Sequence, residues 1–576
     1  MKYTLIKPIN KNYSPITQVL TNRGIALEDI EDFMNPTDEH LCDINLLDNI
    51  DVAAKCILRN LVKGNRIHIQ VDSDCDGYTS AALLINYLYV SFPASVQNCI
   101  TYGLHSDKHH GIGDIPEGVH LIIAPDSSSN EIELHQQLND DAKQIVVLDH
   151  HHAPLNPDDP AIIVNNQMCD YPNKALSGVG IVYKTCKAMD KLLHKSYADD
   201  FLDLVALGLT ADMMDTKQLE TRRLILKGFQ QVNNPFFLEM VKKNGFTMKG
   251  KVNQHTVAWY IAPFINAITR SGTLEEKTLI FQSMLIHEAH KLVPSTKRGC
   301  KGQEELLVEQ AVRTCTNVKA RQEKAKTTLQ NFIRENYPYG QNPKPVWIII
   351  LPEGEFESGL TGLVANQLMA EYKTPVLLLH ETVNGTYEGS GRGFDTGKVK
   401  DWREFCAENG AMYAEGHAMA FGVGFTPEGL EAFENNVADK LGCAEDINFD
   451  VDFIWNWADN YDDLITELGQ AGEELWGQGV TEPYVVIEKI PVSNDNIKLM
   501  GKGTVRIDIP GHNTNCIKFN AADIYDVITA RLGTSNDTTM DITICGRCAI
   551  NEWNGDIIPQ IQISDFDIVS GPKWNF

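Results

Sequence analysis

Three aspartates with a single residue between each pair, Asp72, Asp74 and Asp76, form the most chemically suggestive point of the chain. They follow the apolar run Ile67–Val71, which predicts a buried strand, and precede a helical pattern that begins near Ser80. Carboxylates this close together repel one another unless a cation lies between them. Because Mg²⁺ and Mn²⁺ prefer oxygen ligands, the spacing predicts a divalent cation site on a strand-to-helix turn.

The same turn has two simpler interpretations, a solvated acidic turn and an EF-hand calcium loop. The calcium loop also begins Asp-x-Asp-x-Asp-Gly, but it requires a bidentate Glu at its twelfth position. Counted from Asp72, that position is Leu83, which disfavours an EF-hand. We expect Gly77 to adopt a backbone conformation that a Cβ would penalise. In an open parallel sheet, turns of this kind line the ligand crevice.

Three further segments end an apolar run with side chains that can bind a metal or transfer a proton. Histidine supplies a neutral nitrogen ligand, and a neighbouring carboxylate can orient its ring. Each segment alone could be the ordinary end of a strand or helix, but four such segments in one chain indicate a shared site. The side chains of these three segments are Asp126, Asp149, His150, His151 and Asp212.

Composition restricts the class of protein. A chain of 576 residues with 43% hydrophobic residues is long enough for several domains with their own cores. The net charge of −27 repels nucleic acid, so a nucleic-acid substrate would need a local positive groove. No apolar run is long enough to span a membrane, and the first eight residues lack a signal-peptide core. We therefore expect the cytoplasm as the location.

The thirteen cysteines are an odd number without framework spacing, which is typical of reduced thiols in a cytosolic protein. One Cys-x-x-Cys pair, Cys545 and Cys548, could bind zinc only with two further ligands. Since His512 and Cys516 are the only nearby candidates, we expect the pair to lie in and beside a packed strand.

Strand and helix patterns alternate in the first half of the chain, which predicts an α/β fold with a largely parallel sheet. The predicted strands are Arg66–Val71, Val96–Ile100, Leu121–Ala124, Ile145–Leu148 and Ala161–Val164. The predicted helices are Ser80–Tyr89, Gly180–Leu193 and Phe201–Ala211. Short helices are expected in residues 1–50, where they would cover the first domain.

The second half predicts a further α/β unit and a β-rich end. One amphipathic helical pattern covers Gln303–Glu335, and the apolar strand Val346–Ile350 opens a unit that ends near Phe425. An acidic helical segment is expected to about Trp476. The remaining β runs favour a small barrel of the OB type. They are Tyr484–Ile487, Ile497–Met500, Gly503–Ile507, Cys516–Phe519, Met540–Cys545 and Gln560–Ile563.

The order of these motifs resembles the DHH phosphoesterase superfamily, and more narrowly the RecJ family of single-strand-specific 5′→3′ DNA exonucleases. The motifs concerned are Asp-x-Asp-x-Asp-Gly, the strand-end Asp126, Asp-His-His and the Gly-x-x-Ala-Asp string that ends at Asp212. In the second α/β unit, residues 359–365, 389–392 and 416–420 resemble the companion DHHA1 domain, and residues 551–555 resemble the OB-like end of RecJ proteins.

This resemblance implies a parallel-sheet DHH domain and a smaller α/β DHHA1 domain joined by a long helix, with a C-terminal OB-like β-barrel. The implied boundaries are 1–50 for a helical lead-in, 51–235 for the DHH domain, 236–342 for a helical segment with the connecting helix, 343–430 for the DHHA1 domain, 431–478 for an acidic helical segment and 479–576 for the barrel.

The resemblance also implies roles for individual residues. Two Mn²⁺ or Mg²⁺ ions would be bridged by Asp126, His151 would lie beside the scissile phosphate, and Asp149 would orient a histidine. The matching metal ligands are Asp72, Asp74, Asp76, Asp126, His150 and Asp212. The expected contacts to backbone phosphates are Asn266, Arg270, Ser390, Arg392 and His417.

The implied function is hydrolysis of single-stranded DNA to mononucleotides in recombination or repair, by a monomer with a single-strand-binding or replication and repair protein as partner. Two alternatives stay open: a DHH phosphoesterase for oligoribonucleotides or small nucleotides, and an inactive replication scaffold. The sequence departs from the family at Gln70, where some members carry a metal-binding histidine, and at Phe264, where an arginine is usual.

Overall fold

The computed structural model describes most of the chain, and its contacts divide the chain into two compact units. One unit consists of residues 1–22, 321–472 and 482–576, and the other of residues 23–320 and 473–481. The described residues are 1–106, 109–339, 345–394, 399–441, 448–501, 503–533, 538–553, 556–569 and 573–574. The expected boundary at 342/343, and Asn554 and Gly555 of the OB-like string, lie outside them.

Strands and helices are named in chain order. The strands are β1 Lys2–Leu5, β2 Ile67–Val71, β3 Ile100–Leu104, β4 Leu121–Pro125, β5 Gln144–Asp149, β6 Ile162–Asn165, β7 Leu292–Pro294, β8 Glu304–Leu306, β9 Trp347–Leu351, β10 Val376–Glu381, β11 Tyr387–Arg392, β12 Tyr413–His417, β13 Ala420–Phe425, β14 Asn448–Val451, β15 Phe453–Asn456, β16 Tyr484–Val492, β17 Ile497–Met500, β18 Thr504–Asp508, β19 Asn515–Lys518, β20 Thr538–Trp553, β21 Asp556–Ile568 and β22 Lys573–Trp574. The helices are α1 Pro15–Asn22, α2 Ile30–Met34, α3 Ile50–Lys63, α4 Cys75–Ser91, α5 Pro93–Cys99, α6 Ile132–Asp140, α7 Gly178–Leu193, α8 Leu202–Ala211, α9 Leu219–Phe229, α10 Pro235–Asn244, α11 Gln254–Tyr260, α12 Ala262–Ser271, α13 Leu274–Met284, α14 Leu307–Asn336, α15 Thr361–Tyr372, α16 Trp402–Glu408, α17 Pro427–Leu441, α18 Asp462–Leu475 and α19 Ala522–Leu532.

The unit formed by residues 23–320 and 473–481 is built on a five-stranded parallel sheet in the order β3-β2-β4-β5-β6. Strands β2 and β4 are buried along their whole length, as expected of a parallel sheet with both faces covered. This confirms the predicted α/β fold. Because neighbouring parallel strands run in one direction, the residues that follow β2, β4 and β5 meet at one edge of the sheet.

The predicted strand Val96–Ile100 is wrong, because residues up to Cys99 form helix α5 and the strand begins at Ile100. Pro93 occupies the first turn of this helix, where its fixed φ favours helix initiation. The true strand, β3, pairs with β2 in the register Ile67↔Ile100. Its carboxyl end therefore lies beside the end of β2.

The expected short helices of residues 1–50 are preceded by a strand that the sequence did not predict. Residues Lys2–Leu5 form a strand that pairs in parallel with β14, and residues 1–22 group with the C-terminal part of the chain. Only the segment from Arg23 onward groups with the parallel sheet. A strand whose partner lies more than four hundred positions away gives no local signal of that pairing.

In the other unit, a five-stranded sheet has the order β12-β13-β11-β10-β9, with β9 and β10 parallel and the remaining pairs antiparallel. A second sheet has the order β15-β16-β20-β21-β19-β18-β17, with β22 paired to β20. All six predicted β runs lie in this second sheet. The acidic segment 431–478 is not wholly helical, since it contains β14 and β15, and α19 was not predicted.

The long helix α14 begins at Leu307, because residues 304–306 form a short hairpin strand with β7. Among the described residues, no helix is long and apolar enough to cross a membrane. Cys545 and Cys548 both lie in β20, and the cysteines of the described residues are free thiols. Neither belongs to a group of potential metal ligands within the part of the chain that the structure describes.

Candidate metal centre

The turn after β2 places its aspartates around the start of α4. Asp74 is the N-cap of this helix, and its carboxylate accepts a hydrogen bond of 2.9 Å from the Gly77 backbone N–H. Asp72 and Asp76 are buried. His110 lies just beyond β3, with its Nδ1 2.6 Å from Asp72 Oδ2. The first carboxylate is thus held by the loop that follows the neighbouring strand.

Gly77 is needed at this turn for a reason other than the one that we expected. Its φ is not positive, and it lies within helix α4. A Cβ on Gly77 would instead meet Asp72 Cβ at 2.6 Å and the Asp72 carbonyl oxygen at 2.8 Å. The glycine therefore permits the backbone of α4 to approach the first aspartate.

The ends of β4 and β5 supply the second group of side chains. Asp126 has a left-handed backbone conformation with φ 65°, and its N–H bonds to the Leu148 carbonyl at 2.8 Å. Its Oδ1 lies 3.2 Å from His150 Nε2. The same nitrogen lies 3.5 Å from Oδ2 of Asp212, the residue that follows α8. His150 is therefore placed between carboxylates that are 86 positions apart in the chain.

Asp149 is buried and positions the two histidines that follow it. Its Oδ1 accepts hydrogen bonds from the backbone N–H of His150 at 2.7 Å and from Nδ1 of His151 at 2.7 Å. Its Oδ2 accepts one from the Ser129 N–H at 3.2 Å. Burial raises the pKa of Asp149, but the hydrogen bond and charge of His151 outweigh it and hold that pKa well below the usual range.

The structure brings all eight predicted residues of this centre together in three overlapping groups. Within each group, one potential ligand atom per residue lies within 4.8 Å of the others. Asp126 belongs to two groups and so does His150, so these residues link the groups into one cluster. The groups are Asp72, Asp74 and Asp126; Asp76, His150 and Asp212; and Asp126, Asp149, His150 and His151.

The buried carboxylates of the cluster repel one another, and a positive charge between them would reduce that repulsion. Burial, followed by repulsion from neighbouring aspartates, raises the pKa of Asp76 to about 7. The same causes raise the pKa of Asp126 and of Asp212 well above the usual range. Asp126 Oδ1 and Asp212 Oδ2 are buried and make no hydrogen bond among the described residues, although His150 Nε2 lies within 3.5 Å of each. Carboxylate oxygens without a hydrogen bond, beside an imidazole nitrogen, are ligand atoms that suit Mn²⁺ or Mg²⁺.

Two further glycines permit this crowding. A Cβ on Gly178 would meet Asp126 Oδ1 at 2.5 Å, and one on Gly208 would meet Asp76 Oδ1 at 2.4 Å. The Ser177 hydroxyl donates to Asp76 Oδ1 at 2.9 Å. Gly208 begins the Gly-x-x-Ala-Asp string that ends at Asp212, but the sequence predicted no role for Gly208, Gly178 or Ser177. Their position directly beside the aspartates emerges only when α7 and α8 pack on α4.

Gln70 is one of the residues at which the sequence departs from the family. Its side chain contacts the end of β3 and the loop that follows it. Its Oε1 accepts from the Gly113 N–H at 3.0 Å, and its Nε2 donates to the Gly103 carbonyl at 3.2 Å. The same nitrogen lies 3.0 Å from His105 Nε2. Gln70 therefore anchors the segment that also carries His110, and through it supports the position of Asp72.

The five predicted phosphate contacts fall into two sets, one in each unit. Asn266 and Arg270 lie on α12, which packs against α4 in the unit of the acidic cluster. Burial lowers the pKa of Arg270, and the charge of Asp74 opposes this effect. The guanidinium is thus close enough to the cluster to interact with Asp74.

The other set lies on the sheet of the second unit, on β11 and β12. Arg392 and His417 are both paired with Ala420 of β13, so they lie on one face of the sheet. Ser390 Oγ is 3.0 Å from Thr361 Oγ1 at the start of α15. A Cβ on Gly362 would lie 2.6 Å from Arg392 Nη2.

We predict that Mn²⁺ or Mg²⁺ stabilises the folded chain, because a divalent cation neutralises the buried carboxylates. At a free metal concentration of about 100 times Kd, the gain in free energy of unfolding is about 2.7 kcal/mol. The measurement is thermal unfolding of chelator-treated protein with and without each metal, with K⁺ at equal ionic strength as the control. An unchanged transition temperature with both metals would contradict the prediction.

Comparisons with known proteins agree with this geometry. The sequence model described as "DHH family, N-terminal domain" matches residues 66–209, and the model described as "RecJ OB domain" matches residues 451–565. A relative from Bacillus subtilis (strain 168), named "Putative SPbeta prophage-derived single-strand DNA-specific exonuclease YorK", is 34% identical over 99% of this chain and 98% of its own length.

Two solved structures share the fold. Thermus thermophilus RecJ in complex with Mn²⁺ has a TM-score of 0.71 at 19% identity, covering 97% of this chain and 77% of that one. The structure of RecJ from the same organism in complex with Mg²⁺ has a TM-score of 0.67 at 18% identity, covering 99% of this chain and 78% of that one. The likeness extends over both compact units.

Proposed function

The chain belongs to the RecJ-like group of the DHH family, and on this basis we propose that it is a metal-dependent exonuclease that degrades single-stranded DNA from the 5′ end to mononucleotides. The observation that carries the proposal is the acidic cluster, in which buried carboxylates converge on His150. Two of their oxygens, on Asp126 and Asp212, are buried and make no hydrogen bond within the part of the chain that the structure describes. A replication scaffold would have no need to maintain this unfavourable arrangement.

We assign the cluster two kinds of role. The residues that would hold the ions are Asp72, Asp74, Asp76, Asp126, His150 and Asp212, and Asp126 belongs to two of the three ligand groups. When bound, Mn²⁺ or Mg²⁺ would supply Lewis acidity at the phosphodiester and lower the pKa of a water molecule.

His151 and Asp149 would act together on the substrate. The side chain of His151 is 58% exposed, so it can reach a phosphate, whereas Asp149 is buried behind it. Burial lowers the pKa of His151, but the hydrogen bond and charge of Asp149 raise it to about 9. The protonated ring would therefore stabilise negative charge on the scissile phosphate, while Asp149 fixes its orientation.

Arginine and histidine side chains would hold the DNA backbone. A guanidinium presents a planar fork of donors that matches two phosphate oxygens. We assign this role to Arg270 and Arg392, with Asn266, Ser390 and His417 as further phosphate contacts. The position of Arg392 and His417 on one sheet face supports their acting on the same strand of DNA.

We predict that Arg392→Ala weakens binding of single-stranded DNA about 10- to 100-fold, since a charge-assisted hydrogen bond contributes about 1.5–3 kcal/mol. The metal content is expected to stay at the wild-type level. Fluorescence anisotropy with a labelled oligonucleotide measures the affinity, and elemental analysis measures the metal. Arg403→Ala is the matched control, because Arg403 pairs with Asp401 at 3.0 Å. Unchanged affinity of Arg392→Ala would remove Arg392 from the binding site.

The function itself is tested by digestion of one single-stranded oligonucleotide, labelled at either end in separate reactions, with Mn²⁺, Mg²⁺ or EDTA. We expect early release of a 5′-labelled mononucleotide that requires metal and is absent on the blunt duplex. Early release from the 3′ end would overturn the polarity. Failure with both metals, combined with hydrolysis of short oligoribonucleotides or small nucleotides, would overturn the DNA substrate.

We also propose recombination or repair as the setting, with a single-strand-binding protein as a partner and a monomer as the active form. Single-stranded DNA arises as an intermediate in these processes and is covered by such proteins. Co-sedimentation with a single-strand-binding protein, and the mass of the chain in solution, are the measurements that test these two points.

A further inference from the structure

We propose that Phe246 and Trp259, with the lysines around them, form a stacking surface that holds single-stranded DNA outside the metal centre. The inference rests on the proposed function and extends it to residues that lie outside the predicted site. Phe246 is 99% exposed and Trp259 is 66% exposed. Both side chains therefore present aromatic surface to solvent, where it can stack on a base.

The two aromatic residues lie on neighbouring, well-fixed backbone. Phe246 is two residues beyond Asn244, whose side-chain amide donates to the Tyr260 carbonyl at 3.1 Å, and Tyr260 directly follows Trp259. Met248 is buried and pins the loop that carries Phe246. The helix that carries Trp259 begins with an Asn253–Thr256 capping box. Both rings are thus presented by ordered segments, which lowers the entropic cost of binding.

The segment between Glu239 and Glu275 carries both aromatic residues and a positive charge, whereas the chain as a whole is negative. The whole sequence carries 77 Asp and Glu against 50 Lys and Arg, but between Glu239 and Glu275 there is no acidic residue and there are five basic ones. Four of these are exposed lysines that flank Phe246 or precede Trp259. Lys242 pairs with Glu239 at 3.1 Å, and the Lys243 ammonium donates to the Thr316 hydroxyl. The four are Lys242, Lys243, Lys249 and Lys251.

The fifth basic residue of the segment is Arg270, which interacts with Asp74 of the acidic cluster. It lies in the last turn of α12, a helix of ten residues that begins directly after Trp259, Tyr260 and Ile261. Ten helical residues span about 15 Å, so one helix of this length separates Trp259 from the arginine that interacts with the cluster.

Aromatic rings beside positive charge are the chemistry that recognises single-stranded nucleic acid. Every base has a face that can stack on an aromatic ring, and lysines pair with the phosphates between the bases. A surface for a protein partner would not need an acid-free segment in a chain this acidic. The charge pattern therefore favours DNA as the occupant.

The first test measures binding in EDTA, so that cleavage cannot interfere. We expect the Phe246→Ala, Trp259→Ala double variant to bind a 30-nucleotide oligo(dT) at least about tenfold more weakly than wild type, since each stacked base contributes about 1–3 kcal/mol. Trp259→Tyr should keep most of the affinity, whereas Trp259→Leu should not. Val62→Ala, a 79% exposed position on α3, is the surface control.

The second test maps the contact. Oligonucleotides that contain 5-iododeoxyuridine should crosslink to Phe246 or Trp259, as read by mass spectrometry. Lys249→Gln should reduce the slope of log Kd against log salt by about 0.7. Wild-type affinity in the double variant, or crosslinks confined to other segments, would overturn the inference. So would a change in oligomeric state or protein binding with unaltered DNA affinity.

The outcomes separate this inference from the proposed function. If wild type binds and crosslinks at these residues but releases no mononucleotide, the surface stands and the exonuclease activity fails. If wild type degrades single-stranded DNA and the double variant binds as well as wild type, the activity stands and the surface fails.

Discussion

Asp76→Asn will reduce hydrolysis of single-stranded DNA by more than about 10³-fold, because a metal site supplies several kcal/mol of transition-state stabilisation. Asp76 is buried at the start of α4 and shares one ligand group with His150 and Asp212. Its carboxylate accepts hydrogen bonds from Ser177 Oγ and the Val179 N–H. The amide oxygen of asparagine can accept the same bonds, so the substitution removes charge and little else.

The metal-free variant should be at least as stable as metal-free wild type. Asp76 is surrounded by other carboxylates, and their mutual repulsion opposes folding when no cation is bound. Removing one charge relieves that repulsion. The stabilisation by Mn²⁺ should shrink in Asp76→Asn, so thermal unfolding separates loss of the metal site from loss of the fold.

Asp140→Asn is the control for this experiment, because Asp140 is an exposed aspartate at the end of α6 in the same unit. It should retain wild-type activity and metal response. His150→Ala should behave like Asp76→Asn, since His150 links two of the three ligand groups. Wild-type hydrolysis in either Asp76→Asn or His150→Ala would show that the centre has been assigned to the wrong residues.

The position of the cluster could be predicted because parallel strands place their carboxyl ends at one edge. Asp72, Asp126 and Asp149 each follow an apolar run, and the runs proved to be neighbouring strands of one sheet. The strand rule does not place Asp212, because this residue follows a helix. It was added because it also ends an apolar run, and the resemblance to a family then implied its role as a metal ligand.

What the sequence did not reveal depends on tertiary packing. His110 was missed because the strand before it was placed four residues too early, so its proximity to Asp72 had no apparent cause. The pairing of β1 with β14 joins segments that are far apart in the chain, and alternation of side chains predicts a strand but never its partner. Exposure of Phe246 likewise follows from the tertiary fold alone.

The glycines of the metal centre show most clearly that tertiary packing sets the role of a residue. Gly77 lies in a motif that invites an explanation from backbone flexibility, yet its φ is not positive and its role is to leave space. The same holds for Gly208, which is buried within α8. Helix propensity alone predicts that alanine at Gly208 stabilises the helix by about 1 kcal/mol. Packing predicts that alanine at Gly208 destabilises the protein. The cost of overpacking can be compared directly with the gain in helix propensity.

Gly208→Ala will lower both stability and activity. Its Cβ would meet Asp76 Oδ1 at 2.4 Å, Thr79 Oγ1 at 2.5 Å and a Val179 methyl at 2.7 Å. Overpacking of a core costs about 1–3 kcal/mol, which exceeds the gain in propensity. Because relief of the clash must displace Asp76, we expect the rate of DNA hydrolysis to fall about 100-fold, as for a displacement of about 1 Å in a catalytic group.

Gly180→Ala is the matched control, since Gly180 lies in the neighbouring helix α7 and the three atoms nearest to its Cβ would all belong to the Leu176 side chain, at 3.2 Å or more. That variant should keep its metal affinity and activity, measured by titration of Mn²⁺ and by release of mononucleotides. If Gly208→Ala matches Gly180→Ala in both assays, Asp76 has room to move without loss of function. The close packing of α8 on α4 would then serve the stability of the unit and not the geometry of the metal centre.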